Sequence, residues 1–477
     1  MTINNVALQR VTLNSGTSGQ EDAGRKYGTT MDNVLDPFDQ LTFDAERATG
    51  VASIPHPFWV YSHPVDIDGL RRFHHHLQRG RLARRIEPSR LRFGRHRWVS
   101  AGRPSEIEIA ATPRPRAELD AWLDEQAAKP IDARTGPEWR LAVLPFSDGG
   151  AAVSLAVSHC LVDGVGLLEA MADAADGRDH PSSWPGAGSR RRWQAVREDA
   201  GQTVRDIPAL GRGAAAAARL TRRALRQGAA AAPSTTPLRL PAGYDEPLTP
   251  PTATVFIDAG EWETRARTLG GTSNVLLLGL AAHLAKRMGR VTADGSVLVK
   301  MPVNERAGGD TRANAVSHLT VTVDAAPATT DLCEIRTAVK GALTSHQESR
   351  DDERAVLAFV PLLGLLPKRL VRLVDNAVVS SNLGVISPAV VRPDGTDADL
   401  FAARLSYRGV TKELMHRLGG ALYVLSGTAQ GLVFISVTVH HPGYANSNEA
   451  LRQDLSTALT DFSLTGTYLG APPVAHR

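Results

Sequence analysis

The chain has 477 residues, which predicts two domains rather than one core. Lysines and arginines number 54 against 50 aspartates and glutamates, and aromatic residues make up only 5%, so a nucleic-acid surface of basic and aromatic side chains is not expected. The 2 cysteines, Cys160 and Cys333, are too few for a disulfide framework or a cysteine zinc site, and they favour a reducing, cytoplasmic location.

The first 77 residues are predicted to contain a flexible tail followed by short structured segments. Residues 1–32 are polar and lack the features of a signal peptide, so we expect a flexible tail. A short amphipathic segment follows over 33–46, then a strand-like stretch over Ile54–Ser62 that contains two prolines, and then a helix over Asp66–Leu77. Its three consecutive histidines (74–76) point in three directions on a helix and cannot converge on one metal.

The middle of the first half is predicted to be mostly β-structure. Short strands are expected over Arg95–Ser100 and Ile107–Ala111. Trp139–Phe146 and Ala151–His159 are apolar runs on either side of a Ser-Asp-Gly-Gly turn, which predicts a hairpin that delivers a histidine to its strand end. Apolar residues recur at helical spacing after Gly164, so a helix should follow.

The composition changes after residue 180. Residues 189–232 hold ten arginines, three acidic residues and many alanines, which predicts basic helices, and a Pro- and Ser-containing linker completes a crossover over 181–248. One interpretation is a solvated helical connection between two domains. The other is a surface for anionic lipid or for a carrier protein, and the two are compatible.

Strands and helices alternate again in the second half. Strands are predicted over Ala253–Asp258, Ser296–Pro302, Leu319–Val323, Ala377–Leu383, Leu405–Val410, Leu422–Ser426 and Leu432–Val439, and helices over Thr272–Arg287, Asp331–His346, Asp352–Asn376 and Ser447–Phe462. This alternation predicts an α/β fold with mixed sheets, divided into subdomains over 33–180 and 249–477. The apolar run Ala355–Pro367 is too short to span a bilayer.

The segment Ser158–Gly164, with the sequence SHCLVDG, is the strongest candidate for chemistry. His159 ends a strand, so the ladder behind anchors it while its ring is free to face a cavity. Asp163 can fix the loop through an arginine or backbone N–H groups, and Gly164 lets backbone or substrate approach closely. A hydrogen-bonded core histidine is the alternative interpretation, but the strand before it and the helix after it favour function.

Other chemical motifs are absent from the sequence. There is no phosphate-binding GxxxxGK[ST] loop, no dinucleotide GxGxxG after a strand, no GxSxG elbow and no HExxH, so no cofactor, metal or serine nucleophile is predicted. Cys160 adjoins His159, but neighbours on an extended chain point to opposite faces, so a Cys–His dyad is not expected.

The SHCLVDG segment resembles the HHxxxDG motif of the acyltransferase superfamily that has the chloramphenicol-acetyltransferase fold. This superfamily includes peptide-synthetase condensation domains and the wax ester synthase/diacylglycerol acyltransferases, and the second group is more similar. Further matches are LDPFDQLTF (Leu35–Phe43), GRHRWV (Gly94–Val99), the runs Pro130–Asp132 and Trp139–Leu144, MPVNERAGGDTRANAVS (Met301–Ser317) and SSNLG (Ser380–Gly384). The chain departs from the pattern at Ser158, which replaces the first histidine, at Ala313, which replaces a glycine, and in lacking Pro-Gly-Pro after Ser-Asn.

The resemblance implies two chloramphenicol-acetyltransferase-like subdomains joined by a helical crossover, with the active site in a channel between them. It further implies that His159 is the catalytic general base and that Asp163 supports the loop. Ser381 and Asn382 would line the channel or donate to an oxyanion. Weaker candidates for the same role are Ser158, Asn304 and Asn314.

The substrates that the resemblance implies are an acyl thioester and an acceptor hydroxyl. Acyl-CoA as co-substrate is the expected donor, with a carrier-protein thioester as the alternative. The expected acceptor is a long-chain alcohol or diacylglycerol, and the alternative is an amine or hydroxyl compound of secondary metabolism. We expect a monomer, with peripheral contact to a membrane or lipid inclusion. A non-catalytic binding module of the same fold remains the competing hypothesis.

Overall fold

The computed structural model describes residues 33–102, 106–179, 184–226, 246–292, 294–363 and 378–469. The predicted tail over 1–32 lies outside the described residues, as do residues 227–245 of the predicted linker and residues 364–377, which hold the end of the apolar run.

The elements follow one another in the order that the sequence predicts for an α/β protein. The helices are α1 (Pro37–Thr49), α2 (Ile67–Leu77), α3 (Leu119–Ala128), α4 (Gly164–Ala175), α5 (Arg192–Arg226), α6 (Ala259–Thr268), α7 (Ser273–Arg287), α8 (Cys333–Val356), α9 (Val360–Leu363), α10 (Lys412–Arg417) and α11 (Asn448–Asp461). The strands are β1 (Ala52–Tyr61), β2 (Arg84–Glu87), β3 (Arg97–Ser100), β4 (Glu108–Ile109), β5 (Trp139–Pro145), β6 (Ala151–Val157), β7 (Thr252–Asp258), β8 (Val297–Asn304), β9 (Val316–Val323), β10 (Val378–Val385), β11 (Leu400–Arg408), β12 (Ala421–Ala429), β13 (Leu432–His440) and β14 (Thr467–Tyr468).

Two mixed sheets form the body of the fold. The first has the strand order β11-β1-β6-β5-β4, and the second has the order β14-β7-β13-β12-β10-β8-β9. Most neighbours are antiparallel, but β4 runs parallel to β5, and β10 runs parallel to both β8 and β12. The predicted α/β class with mixed sheets is therefore confirmed.

Strand β11 connects the two halves of the chain. It lies beyond the predicted boundary at residue 249, yet it pairs with β1 in the first sheet from Ala52↔Arg408 to Val60↔Leu400. It also packs against β12 and β13 of the second sheet. A strand from the second half thus completes the first sheet, which no local sequence pattern indicates.

The two prolines of β1 shape the space beside the candidate histidine. The pairing between β1 and β6 begins only at Phe58↔Ser154, directly after Pro57. Because proline has no N–H to donate, the ladder is interrupted at Pro57 and Pro55. The chain after β6 nevertheless keeps the same register beside β1, since the His159 N–H donates to the Ser53 carbonyl at 3.1 Å.

Among the differences from the predicted element boundaries, three concern β6, the crossover and α8. Strand β6 ends at Val157, so His159 lies in the following turn. The part of the crossover that the structure describes contains one 35-residue helix, α5, with Pro208 inside it, where basic helices were predicted. Helix α8 runs without interruption through residues 347–351, because these polar residues interrupt the apolar periodicity without opposing helix formation. Helices α3, α6 and α10 were not predicted at all.

Helix α5 packs along α8. A Cβ at Gly213 would come within 2.8 Å of the Ala355 carbonyl oxygen, so glycine permits the close approach of the two helices. Arg219 pairs with Asp352, with Nε and Oδ2 3.0 Å apart. On its other side α5 is exposed, with Trp193 85% accessible. Helix α5 is therefore attached to the body of the fold through α8.

Helix α7 is the central helix of the second hydrophobic core, with ten buried residues among its fifteen. Within the described ranges, no single helix is both long enough and apolar enough to be a membrane span. The pair α6 and α7, bent by 83°, satisfies length and composition only when the two are taken together.

Candidate active site

Ser158, the first residue after β6, makes the hydrogen bonds that close the following turn. Ser158 is buried, and its Oγ accepts a hydrogen bond from the Cys160 N–H at 3.3 Å. Its carbonyl accepts from Leu161 N–H at 3.0 Å, and its own N–H donates to the Glu138 carbonyl at 3.1 Å. Ser158 therefore shapes the turn, and its side chain is engaged with the backbone rather than open to a channel.

The backbone of His159 is held from both halves of the chain. Its N–H donates to Ser53 of β1, and its carbonyl accepts from the Asn314 side chain at 3.2 Å. The ring is only partly buried, but its Nδ1 atom is inaccessible to solvent and has no hydrogen-bond partner among the described residues. The backbone of His159 is therefore fixed and its Nδ1 atom is enclosed by protein, so a group entering the cavity can meet the imidazole only at its other nitrogen, Nε2.

Asp163 joins the turn to the loop after β8. One carboxylate oxygen accepts from the Gly166 N–H at 2.7 Å and so caps α4. The other accepts from Arg306 at 2.6 Å and from the Ala315 N–H at 2.8 Å. The Asp163 and Arg306 side chains are only 3% and 2% exposed, so this is a buried ion pair. Arg306 also donates to the Ala313 carbonyl at 2.9 Å.

A second buried carboxylate, Asp39 of α1, holds the same loop. It accepts from the backbone N–H groups of Ala313 at 2.9 Å and Asn314 at 2.7 Å. Burial raises the pKa of Asp39 from 3.8 to about 6, although these hydrogen bonds act in the opposite direction. Asn314 thus connects Asp39 to the His159 carbonyl, and sequence analysis named Asn314 only as a weak candidate.

Arg84 of β2 provides a third contact to the turn. Its guanidinium donates to the Leu161 carbonyl at 2.7 Å and to the Thr311 carbonyl at 2.6 Å, and it lies 4.0 Å from the centre of the Trp98 ring. Burial lowers the pKa of Arg84 to about 9, which leaves the group charged at neutral pH. No sequence motif singled out this residue.

His159 lines a cavity of about 240 Å³ between α1, β1, α10 and the strands β11 to β13. Its walls are mainly apolar and aromatic, and they are formed by Thr42, Ala45, Glu46, Thr49, Val51, Ser53, His159, Pro250, Tyr407, Leu414, Met415, Leu418, Ala421, Tyr423 and Thr438. Tyr407 and Tyr423 lie side by side, with ring centres 5.1 Å apart. A second cavity of about 210 Å³ adjoins the first and shares Pro250, Tyr407 and Thr438 with it.

Glu46 is the acidic group of this cavity. The Cys160 thiol donates to its Oε2 atom at 3.2 Å, and burial raises the pKa of the carboxyl group. The thiol is itself fully buried, and burial together with the nearby Glu46 charge raises the pKa of Cys160 well above its usual value. Sequence analysis did not identify Glu46, because its position on α1 faces the cavity only once β12 and α10 are folded against it.

The remaining predicted residues lie outside this cavity. Asn382 donates to the Asn274 side chain and accepts from the Gly384 N–H at 2.8 Å, and Ser381 precedes it in β10. Asn304 is exposed and accepts from the Arg306 N–H at 3.0 Å. A Cβ at Gly164 would lie 2.6 Å from the tip of Leu383, so a side chain of the second half approaches the glycine.

A second histidine, His318, lies near enough to His159 to be affected by its charge. Burial lowers the pKa of His318 in β9, and the charges of Lys300, His159 and His346 lower it further. Within the ranges that the structure covers, no group of three His, Cys, Asp or Glu residues is arranged to hold a metal ion.

The chain is similar to known proteins in part of its sequence and in its fold. Residues 70–256 match the family model of the wax ester synthase/diacylglycerol acyltransferase catalytic domain. No curated protein matches the chain by sequence.

Solved structures of the same fold cover nearly the whole chain. The wax ester synthase/diacylglycerol acyltransferase from Marinobacter aquaeolei VT8 is 16% identical and superposes with a TM-score of 0.51 over 90% of this chain and 98% of that one. The first condensation domain of the CDA synthetase is 13% identical, with a TM-score of 0.56 over 92% and 100%. TRI3 trichothecene 15-O-acetyltransferase from Fusarium sporotrichioides is 11% identical, with a TM-score of 0.58 over 90% and 94%. At these identities the superpositions establish the fold, and the family match over 70–256 establishes the resemblance that the motifs predicted.

Proposed function

We propose that this chain moves an acyl group from a thioester to a hydroxyl or amine acceptor, with His159 as general base. The proposal starts from the similarity of the chain to the wax ester synthase/diacylglycerol acyltransferases and from its condensation-domain fold. One observation carries the proposal. The His159 ring lines a cavity, while the backbone of the same residue is hydrogen-bonded to both halves of the chain.

The reaction needs one proton carrier. Neutral His159 accepts the proton of the acceptor hydroxyl as the oxygen attacks the thioester carbonyl. The tetrahedral intermediate then collapses, the carbon–sulfur bond breaks, and the imidazolium returns the proton to the leaving thiolate. The thioester is already activated, so no covalent enzyme intermediate is required and positioning contributes much of the rate.

Cys160 is not a nucleophile in this proposal. Its thiol is buried and donates to Glu46, and the raised pKa of Cys160 keeps it protonated at neutral pH. Asp163 acts as a positioning residue, because both of its oxygens are used by the protein. Neither residue contacts the reacting atoms.

The donor is proposed to be acyl-CoA, used as a co-substrate without any cofactor or metal, with a carrier-protein thioester as the alternative. A long-chain alcohol or diacylglycerol is the acceptor class that the family resemblance suggests. The carboxyl group of Glu46 in the otherwise mainly apolar His159 cavity favours the second candidate, a smaller acceptor with an amine or hydroxyl, as in a condensation-type tailoring enzyme. We further propose that the protein is a cytoplasmic monomer and that its exposed helix α5 makes peripheral contact with lipid.

Thiol release tests the proposal. Wild type and His159→Ala are incubated with a panel of acyl-CoAs and with an acyl-loaded carrier protein, each with and without long-chain alcohol, diacylglycerol and amine acceptors. We expect release that depends on His159 and is stimulated by one acceptor class. An absence of release with every CoA donor and with an acyl-loaded carrier protein would instead favour the non-catalytic binding module.

A further inference from the structure

The cavity of His159 contains a single acidic side chain among the described residues that line it. Glu46 shares these walls with threonines, one serine, aliphatic side chains and two tyrosines, and no lysine or arginine lines the cavity in this part of the chain. A carboxylate therefore faces the space beside the candidate general base. A simple hydrocarbon-binding pocket has no use for such a group.

The carboxylate is held at one of its two oxygens. Oε2 accepts from the Cys160 thiol, the residue next to His159 in the turn. In the ranges that the structure describes, no salt bridge involves Glu46. Arg47 lies over the Phe43 ring at 5.6 Å, and Arg408 donates to the Ile131 carbonyl at 2.7 Å. The two arginines act on Glu46 only through their charge, and among the described residues the carboxyl group has no ion-pair partner.

The free energy of burying the Glu46 carboxylate depends on which molecule occupies the cavity. A long alkyl chain would remove water from the carboxylate and return no hydrogen bond, which is unfavourable for a buried charge. A protonated amine would restore a charge-assisted hydrogen bond in its place. The pKa of Glu46, raised by burial, is consistent with a carboxyl group that has no such partner among the described residues.

We infer that Glu46 recognises a protonated amine on the acceptor, so that the acceptor is a compact amine or amino alcohol rather than a simple long-chain alcohol or diacylglycerol. The inference rests on the proposed acyl transfer and specifies its acceptor. The adjoining cavities of about 240 and 210 Å³ suit a small molecule, since each is below the usual range of about 300–1,000 Å³ for ligand pockets.

An acceptor whose amine is bound by Glu46 can be acylated in two ways, either at a neighbouring hydroxyl or at the amine nitrogen itself. In an amino alcohol, the ammonium stays bound to Glu46 while the neighbouring hydroxyl is acylated through His159. In a simple amine, the ammonium first gives one proton to the Glu46 carboxylate. The neutral nitrogen then forms the C–N bond as the C–S bond breaks, and His159 carries the second proton to the thiolate. Glu46 afterwards releases its proton to solvent, so that charge and protons balance.

Acceptors matched in length test the inference. Wild type, Glu46→Gln and Cys160→Ser are assayed with an alkyl alcohol, the alkylamine of equal length and the corresponding amino alcohol, by thiol release and by mass analysis of the product. We expect wild type to prefer the two amine-bearing acceptors. Glu46→Gln should raise their KM by about tenfold or more, the range expected for a hydrogen bond to a charged group, and should leave the KM for the alcohol little changed.

Cys160→Ser is the matched control, because a serine hydroxyl still donates to Glu46 and leaves the charge in place. It should retain the amine preference. The mass of the product, an ester or an amide, distinguishes the two fates. Calorimetric binding of the alkylamine and the alcohol to wild type and Glu46→Gln gives a readout without turnover, in which only the amine should lose affinity.

Two results would overturn the inference. One is an amine-to-alcohol preference, in KM and in binding, that is the same in wild type and Glu46→Gln. The other is transfer that depends on His159 and uses the simple alcohol best, which leaves the proposed function intact and removes the acceptor assignment alone. Loss of the proposed function is recognised separately, by thiol release that does not depend on His159.

Discussion

The guanidinium of Arg306 lies 2.6 Å from the carboxylate of Asp163, and both side chains are almost completely buried. The two residues are 143 positions apart, one in the turn after β6 and the other in the loop after β8. This pair therefore joins the first sheet to the second at the point where His159 leaves its strand. The shape of the candidate active site depends on contacts between the halves rather than on either half alone.

Removing the cation from this pair should destabilise the protein strongly. Arg306→Ala leaves the Asp163 charge buried without its partner, so we expect the free energy of unfolding to fall by about 3–5 kcal/mol, measured by urea denaturation. Arg312→Ala is the control in the same loop, because the Arg312 and Asp310 side chains are 19% and 10% exposed, so this substitution should lower the free energy of unfolding by less than Arg306→Ala does. Equal costs for the two variants would contradict the assignment.

Neutralising the carboxylate should lower stability and activity together. Asp163→Asn keeps the size of the side chain but cannot accept both from Arg306 and from the two backbone N–H groups. We expect a lower melting temperature and a reduced rate of thiol release in parallel. An unchanged melting temperature with complete loss of turnover would mean that Asp163 takes part in the chemistry itself.

Asp39 should make stability depend on pH. Its pKa is about 6 in the folded chain against 3.8 as the reference, so between these values the folded state binds a proton that the unfolded state does not. Stability should therefore fall as pH rises from about 4 to 6, by about 3 kcal/mol, and level off above that range. The difference in unfolding free energy between wild type and Asp39→Asn, measured from pH 4 to 7, isolates this contribution. A difference that does not vary with pH would contradict it.

Gly164 should tolerate a methyl group only if its neighbour moves. The added Cβ of Gly164→Ala would lie 2.6 Å from the Leu383 tip, which must shift. We expect a loss of about 1 kcal/mol or somewhat more, recovered in part when Leu383→Ala is added, because that change removes the clashing atoms. Strictly additive effects of the two substitutions in a double-mutant cycle would show that the residues do not touch.

The sequence predicted the parts of this molecule that local patterns encode. The run Ala151–Val157, the turn that follows it and the helix from Gly164 were recognisable because apolar periodicity changes from strand to helix around a short polar segment. Helix α7 was recognisable for a similar reason, since cap-type residues precede a long apolar run. Family motifs added the expected arrangement of the two sheets.

Contacts between distant segments were beyond the reach of the sequence. Sequence reasoning expected an arginine as one way to hold Asp163 but could not select Arg306 among the many arginines of the chain. Glu46 carries no motif, because its role depends on a cavity whose other walls come from β12 and α10. Strand β11 was assigned to the second half, since pairing partners are decided by tertiary packing and not by strand propensity.

The rate of acyl transfer by His159→Ala, relative to wild type at saturating donor and acceptor, tests the central claim most directly. The folded state of the variant is verified by its melting temperature, and Cys160→Ser serves as the neighbouring control. The account predicts a loss of about 10²–10⁴-fold in kcat for His159→Ala, the contribution of general-base catalysis, and near-normal turnover for the control. A folded His159→Ala protein that retains wild-type turnover would contradict it.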